Sequence, residues 1–416
     1  MYYNFDIDDS IVTLANVAEK ELAEEFRKCD EMCMYSSAKV LKAFQEVGVN
    51  TADFAEVNGY GYEDIGRDKL EEIYCKIFKC EDALVRPQII SGTHALHLTF
   101  SGLLKYGDTL VSITGTPYVS VQSIIGTSGN SRNSLISNGI KYEEIPLVND
   151  DFDIDAIKNR LKESKVKLVE IQRSRGYAHR TSLSIAKIER AIKAIREVDK
   201  DVIIMVDNCY GDLVEEKEPT EVGADILVGS LMKNLGGGIC KSGAYIVGRK
   251  DLVLDVAERY TAPCVGKNLG PNYNEHINYF KGLYLAPRTI CSALKTMKFA
   301  SYMLEKLGYN VSPRYSEHRT DIIQTVDFGS EKLMIDFCKG MQTGLPIDTN
   351  DIPAPYDCPG YKDKQISASG SFTTGATIEL SADGPIIPPY TIYMQGGLSY
   401  EYGKLGIMKA LDRLQK

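Results

Sequence analysis

Between about Gly66 and Arg249 short β-rich runs alternate with helical stretches, and this alternation limits what the chain can fold into more than any other feature. The runs are Ala83-Leu-Val-Arg-Pro, Thr109-Leu-Val-Ser-Ile, Lys165-Val-Lys-Leu-Val-Glu-Ile-Gln, Val202-Ile-Ile-Met-Val-Asp, Ala224-Asp-Ile-Leu-Val-Gly and Gly243-Ala-Tyr-Ile-Val-Gly. Amphipathic stretches such as Ser184-Ile-Ala-Lys-Ile-Glu-Arg-Ala-Ile-Lys-Ala-Ile lie between several of them. Strands alternating with helices predict an α/β domain whose mostly parallel sheet is covered on both faces.

The flanks have a different character. Ile11 to Val47 carries apolar residues at helical spacing and predicts one or two helices, an N-terminal arm within residues 1–60. Residues 61–280 form the large α/β domain, and residues 281–416 a smaller α+β domain. The latter has a long helical stretch, strands such as Asp321-Ile-Ile-Gln-Thr-Val and a helix from Tyr402. Its Pro-, Asp- and Gly-rich loop from Leu345 to Gly360 either lines a site or decorates the surface. No internal repeat interrupts this division.

Composition narrows the function classes. With 44% hydrophobic and 25% charged residues the chain is an ordinary globular one. Its formal charge of -9 supplies no positive field to neutralise a nucleic acid. The first residues lack a basic segment before an apolar core, and no stretch approaches the ~20 apolar residues that span a bilayer. A soluble cytoplasmic protein, with neither nucleic acid nor membrane as partner, is expected. The ten cysteines contain no C-x-x-C and read as free thiols in a reducing compartment. Five histidines without metal-ligand spacing predict no metal site.

In open parallel sheets ligands sit at the carboxyl ends of the strands, so the residues following each run carry the chemistry. After the first run comes Ser91-Gly92-Thr93-His94, a turn opening a helix. Its free N–H groups suit an anion such as a phosphate, though the same residues make an ordinary helix cap. Asp207 ends a strongly apolar strand, where a carboxylate needs a specific partner. A further strand ends in Ser230-Leu-Met-Lys233-Asn-Leu-Gly236-Gly237-Gly238. A lysine there can have its pKa lowered by partial burial and serve as an imine-forming nucleophile. The triple glycine lacks the spacing of a dinucleotide loop. Anion-binding turn, strand-end aspartate and lysine, in that order, form the layout of a pyridoxal 5'-phosphate enzyme. In that layout the lysine bonds the cofactor and the aspartate keeps its ring nitrogen protonated.

The phrases Val206-Asp207-Asn208, Ser230-x-x-Lys233-x-x-Gly236-Gly237 and Gly66-Arg67-Asp68-x-Leu70-Glu71 resemble the cysteine/methionine-metabolism branch of fold-type I pyridoxal-phosphate enzymes. GYGYEDIGRDKLEEIY, SGTHAL, IQRSRGY, GSLMKNLGGGI, IELSADGP and YMQGGLSYE are similar to the methionine gamma-lyase family proteins also labelled aluminium resistance or cystathionine beta-lyase-like proteins. The resemblance runs from about residue 10 to the C-terminus. It implies a fold-type I architecture, with a seven-stranded sheet in the large domain and a small C-terminal domain. Lys233 would be the cofactor-bonding lysine and proton shuttle, and Asp207 the partner of the pyridine nitrogen. Ser91, Gly92, Thr93 and Ser230 would hold the phosphate. Tyr118 falls where the branch stacks a tyrosine on the ring, where it can also assist proton transfer or simply pack; His94 is an alternative stacking residue. Tyr60, Tyr62 and Arg67 match the residues that reach the neighbouring subunit's phosphate, which would make the protein a homodimer or homotetramer.

Two departures bear on the substrate. Tyr393-Met-Gln395 stands where the branch has a carboxylate-binding arginine, leaving Arg173, Arg175 or Arg288 for that task, and Met232 replaces a phosphate-binding threonine. The reading is a carbon–sulfur lyase performing β- or γ-elimination on a sulfur-containing amino acid. Transamination, aldol cleavage or γ-replacement on the same scaffold, and a non-catalytic cofactor-binding protein in stress resistance, are the alternatives.

Overall fold

The computed structural model describes residues 4–60, 64–358 and 360–416. It divides into two compact units, Ser36–Leu285 and, together, the segment ending at Tyr35 with Ala286–Lys416. The N-terminal helical segment is therefore shared between the two units at Tyr35. Its helices are α1 (Asp9–Glu21) and α2 (Ala23–Val47).

Within Ser36–Leu285 the order is α3 (Ile65–Phe78), β1 (Asp82–Arg86), α4 (Gly92–Leu103), β2 (Thr109–Ser112), α5 (Val119–Ile125), β3 (Lys141–Glu144), α6 (Ile154–Glu163), β4 (Leu168–Gln172), α7 (Ile185–Val198), β5 (Ile203–Asp207), β6 (Ile226–Ser230), β7 (Ala244–Gly248) and α8 (Lys250–Tyr260). The seven strands form one sheet in the order β1-β7-β6-β5-β4-β2-β3. From β6 to β3 the pairing is parallel, and β7 runs antiparallel to both of its neighbours. Strands β4 to β7 are buried along their whole length, which is why they read as unbroken apolar runs. Strand β3, Lys-Tyr-Glu-Glu, is a charged edge strand with no apolar run to announce it.

Helix α7 buries Ile185, Ile188, Ala191, Ile192 and Ile195 along one stripe, and Ser184 caps its first turn by accepting the Lys187 N–H. Helix α4 packs so closely on α8 that a Cβ on Gly102 would lie 3.1 Å from the Val256 Cα. Gly236 has no room at all, since a Cβ there would lie 1.6 Å from the Leu231 carbonyl oxygen, and Gly237 adopts φ +56°. The glycines after Lys233 thus serve a tight turn.

The other unit holds a five-stranded antiparallel sheet. Its strands are β8 (Asn310–Ser312), β9 (Ile323–Asp327), β10 (Gln365–Ser369), β11 (Ser381–Pro385) and β12 (Thr391–Gln395), in the order β10-β11-β12-β9-β8. Helices α10 (Glu331–Gln342) and α11 (Tyr400–Leu414) complete it, with α9 (His276–Lys306) supplying Met297, Phe299 and Met303 to its core. Helix α1 adds Ile11, Ala15 and Ala18 to that core, and the Asp8 N–H donates to Asp412 Oδ1 at 2.8 Å. Among the described residues no helix is long and apolar enough to cross a membrane.

Candidate active site

The carboxyl end of β6 and the residues just after β5 meet the first turn of α4. Gly92 makes the approach possible: a Cβ on it would lie 3.2 Å from Ser230 Cβ and 3.4 Å from Cys209 Sγ. Ser91 caps the helix, its hydroxyl accepting the His94 N–H at 3.1 Å. The N–H groups of Gly92 and Thr93 have no partner inside the helix, by the geometry of a first turn. Beside them is Ser230, the last residue of β6, whose hydroxyl accepts the Met232 N–H at 3.2 Å. The Thr93 hydroxyl lies 2.9 Å from that of Ser120, linking the starts of α4 and α5. His94 turns back to accept the Ile90 N–H through Nδ1 at 3.3 Å, and burial lowers its pKa.

Asp207 ends β5 and is buried, with its Oδ1 accepting the Cys209 N–H at 3.1 Å. Lys233 follows β6 in the turn before the glycines. Its Nζ sits 4.1 Å from the centroid of the Tyr210 ring. The sequence allows a lysine pKa lowered by partial burial, and here the structure differs. Burial does oppose the ammonium, but Cys209, Tyr210 and Asp207 outweigh it and raise the pKa above the usual lysine value. Burial and the Asp207 charge also push the Cys209 thiol up, so it is a neutral thiol at physiological pH.

Tyr118 opens α5, its N–H donating to Gln172 Oε1 at 2.6 Å and its ring meeting Tyr177 edge-on at 5.6 Å. Gln172 pairs with Asp207 in the β4–β5 register, so the bond that fixes Tyr118 comes from the aspartate's side of the sheet. Two residues earlier on the same face lies Glu170, buried and accepting the Ser112 hydroxyl at 2.7 Å. Its pKa is pushed up to about 7 by burial, against the Ser112 hydrogen bond and reinforced by the charge of Asp207.

The three arginines named from sequence have three different surroundings. Arg173 is fully buried, with Nη1 donating to Asn208 Oδ1 at 2.8 Å and the Gly211 carbonyl at 2.9 Å, and Nη2 to Glu215 at 2.8 Å. It sits in a buried polar network with Glu218, Asp212, Asn208 and Tyr245. In that network Asp212 is raised to about 8 by burial and by Glu218. Arg175, also buried, stands in the loop after β4 next to Gly176, where a Cβ would lie 3.0 Å from the Tyr118 ring. Arg288 belongs to the other unit, largely exposed and 3.8 Å from Asp30.

Tyr60 and Arg67 occupy a different neighbourhood, at the approach to α3. Tyr60 is exposed and bridges to Leu269; Arg67 is buried, its Nε donating to Asp68 at 3.0 Å. Tyr62 lies outside the described residues. Sequence reasoning did not single out Glu170, Gln172, Cys209, Tyr210 or Asn234. Gln172 ends β4 and Asn234 directly follows Lys233, and that adjacency was the available signal; Glu170, Cys209 and Tyr210 carried none.

A lysine, an aspartate and a helix N-terminus gathered at the carboxyl edge of a seven-stranded, mostly parallel sheet define a fold-type I pyridoxal-phosphate-dependent enzyme architecture. The chain belongs to the methionine gamma-lyase family, whose family model matches residues 11–415. It is 42% identical over 400 residues to the uncharacterized protein YnbB of Bacillus subtilis, covering 96% of this chain and 95% of that one. The crystal structure of a carbon-sulfur lyase involved in aluminum resistance from Clostridium novyi superposes with a TM-score of 0.94 at 41% identity, covering 98% of this chain and 96% of that chain. A Clostridium acetobutylicum structure gives a TM-score of 0.95 at 44% identity, covering 98% and 96%. The cystathionine gamma synthase of Xanthomonas oryzae shares the fold, with a TM-score of 0.63 at 15% identity over 91% of this chain and 98% of that chain.

Proposed function

We propose that the protein is a pyridoxal-phosphate-dependent carbon–sulfur lyase that eliminates a thiol from the β- or γ-carbon of a sulfur-containing amino acid. The observation that carries this reading is the packing of the glycine-opened α4 turn against Ser230 and Cys209, which gathers an anion-binding helix start, Asp207 and Lys233 at one sheet edge. These donors fit the cofactor: two unpaired helix N–H groups and two serine hydroxyls suit a phosphate, a buried carboxylate suits a protonated ring nitrogen, and a lysine suits a carbonyl. When bound, the cofactor supplies an electron sink for the charge left at Cα.

The chain's own residues do the rest. Lys233 Nζ would hold the cofactor, and as a free amine it would take the Cα proton and return a proton toward the leaving sulfur. Asp207 would keep the ring nitrogen protonated. Tyr118, fixed by Gln172, would pack beside the ring. Arg175 binds the substrate carboxylate; it stands beside the Gly176-Tyr177 segment packed on Tyr118, whereas the Arg173 guanidinium serves the Asn208–Glu215 network. The thiol leaves with the proton from Lys233, and the released enamine is hydrolysed by solvent water to a 2-oxo acid and ammonia. The C. novyi relative, described as a carbon-sulfur lyase, supports the same reaction class.

The test compares wild type with Lys233→Ala. Visible spectra are recorded, the protein is reduced with borohydride, the modified peptide is mapped by mass, and thiol and 2-oxo acid release from cystathionine and methionine are assayed. An adduct on Lys233 with both products released supports the proposal. A protein that takes up no pyridoxal phosphate overturns it, and a Lys233 adduct without any product favours a non-catalytic cofactor-binding role.

A further inference from the structure

Tyr210 is an aromatic residue in a conformation aromatic residues avoid, with φ +68°. The neighbouring turn holds it there. Asn234 Nδ2 donates to the Tyr210 carbonyl at 3.0 Å and to the Asp212 carbonyl at 2.9 Å, and Arg173 Nη1 donates to the Gly211 carbonyl at 2.9 Å. Asn234 is the residue after Lys233, so one dipeptide grips the Tyr210 backbone with its amide and lays its ammonium over the Tyr210 ring. The Nζ-to-centroid distance is 4.1 Å, within the range where a ring face attracts a cation.

A ring face attracts the ammonium and not the neutral amine, so it biases which form Lys233 takes when Nζ carries no covalent partner. Three groups face Nζ: Asp207 and Cys209 from the end of β5, and Tyr210 itself. The Cys209 thiol, itself neutral, favours the ammonium as a hydrogen-bond partner, alongside the Asp207 carboxylate and the ring face.

We propose that Tyr210 is a positioning residue whose ring face is the resting place of the Lys233 ammonium, keeping the proton on Nζ at the atom that must deliver it. The proposal rests on the lyase reading for its purpose, but the Lys233–Tyr210 interaction is measurable without turnover. Removing the ring's attraction frees more neutral amine at any given pH, and one pKa unit corresponds to about a tenfold change in the free-amine fraction.

The experiment uses the full-length chain, stripped of cofactor with hydroxylamine. Tyr210→Phe and a series carrying successively more ring fluorines at the same position are labelled with acetic anhydride, and acetylation of Lys233 is followed by mass between pH 7 and 9. The exposed Lys241 serves as the internal reference. Fluorination withdraws π density while nearly preserving shape. The expected result is that Tyr210→Phe labels like wild type and that labelling of Lys233 accelerates stepwise, to about tenfold for the fully fluorinated ring. A flat series overturns the proposal, because a ring that only packs would not respond to its electron density. Tyr210→Asn, which tolerates positive φ, should match the fully fluorinated ring; labelling at the wild-type rate also overturns it. If the wild type binds no pyridoxal phosphate, the lyase reading fails by itself, and the labelling series still decides this one.

Discussion

The side-chain oxygen of Gln172 accepts the Tyr118 backbone N–H at 2.6 Å, tying the last residue of β4 to the residue that opens α5. The same amide donates through Nε2 to the Ser174 carbonyl at 2.9 Å, so both of its polar ends are engaged. Gln172 is paired in register with Asp207, and the Tyr118 backbone is therefore referenced to the strand that carries the aspartate. Loop and strand act as one frame for the site.

Replacing Gln172 with leucine removes that reference. It takes the Gln172 acceptor away from the Tyr118 N–H, at a cost of about 1–3 kcal/mol, while the Ser174 carbonyl keeps its bond from Arg180 Nη2 at 2.8 Å. A ring displaced by a fraction of an ångström then lowers kcat by roughly tenfold or more, with KM nearly unchanged. Steady-state kinetics with a urea unfolding curve checks both parts. Gln172→Glu keeps the acceptor for Tyr118 and should fall between the two.

The two buried arginines after β4 should separate cleanly. Arg173→Met strands Glu218 and Glu215 without their cation, a loss on the order of 3–5 kcal/mol. Its denaturation midpoint should drop sharply. Arg175→Lys keeps a positive charge but not the planar fork that matches a carboxylate, so kcat/KM should fall by about a hundredfold with little change in midpoint. The opposite pattern would exchange the roles assigned to these two residues.

Glu170 makes stability depend on pH in a defined direction. Its pKa rises from 4.5 to about 7 on folding, so the folded chain binds this proton more tightly than the unfolded one. Stability is then highest below about pH 4.5 and is lost as pH climbs toward 7, in total by roughly 3 kcal/mol. Glu170→Gln should remove this component. Asp212 shifts in the same direction, so the quantity to compare is the difference between wild type and variant in unfolding free energy at pH 5 and pH 8. Equal slopes would mean that Glu170 titrates normally.

How much of this was legible in the sequence depended on whether a residue's role follows from its place along the chain. Six of the seven strands in the large sheet announced themselves because burial on both faces demands an unbroken apolar run. The missing one, Lys141–Glu144, pairs on one side only and can afford charges. Lys233, Asp207 and Gly92 were visible because each ends or follows a strand. Arg173 was not separable from Arg175, since only the fold brings Asn208, Gly211 and Glu215 to the first of them. The direction of the lysine pKa was hidden for a similar reason: burial was foreseeable, but Cys209, Tyr210 and Asp207 come to face Nζ only in the fold, and the left-handed Tyr210 is advertised by no local pattern.

Gly92 offers the sharpest test of the anion-binding turn. Alanine is the better helix former by about 1 kcal/mol in a helix interior, so on propensity alone Gly92→Ala would be harmless or stabilising. Its methyl group, however, would stand 3.2 Å from Ser230 Cβ and 3.4 Å from Cys209 Sγ, and neither neighbour is the far end of a flexible chain. The first turn of α4 must then back away from β6 by a few tenths of an ångström, separating its N–H groups from the Ser230 hydroxyl. Propensity and crowding offset one another in stability, so the melting temperature should move little. Affinity for pyridoxal phosphate, measured by titrating stripped protein, should fall about tenfold, since one hydrogen bond to a charged group contributes roughly 1.5–3 kcal/mol. Unchanged affinity at unchanged stability would show that the phosphate binds elsewhere than on this turn.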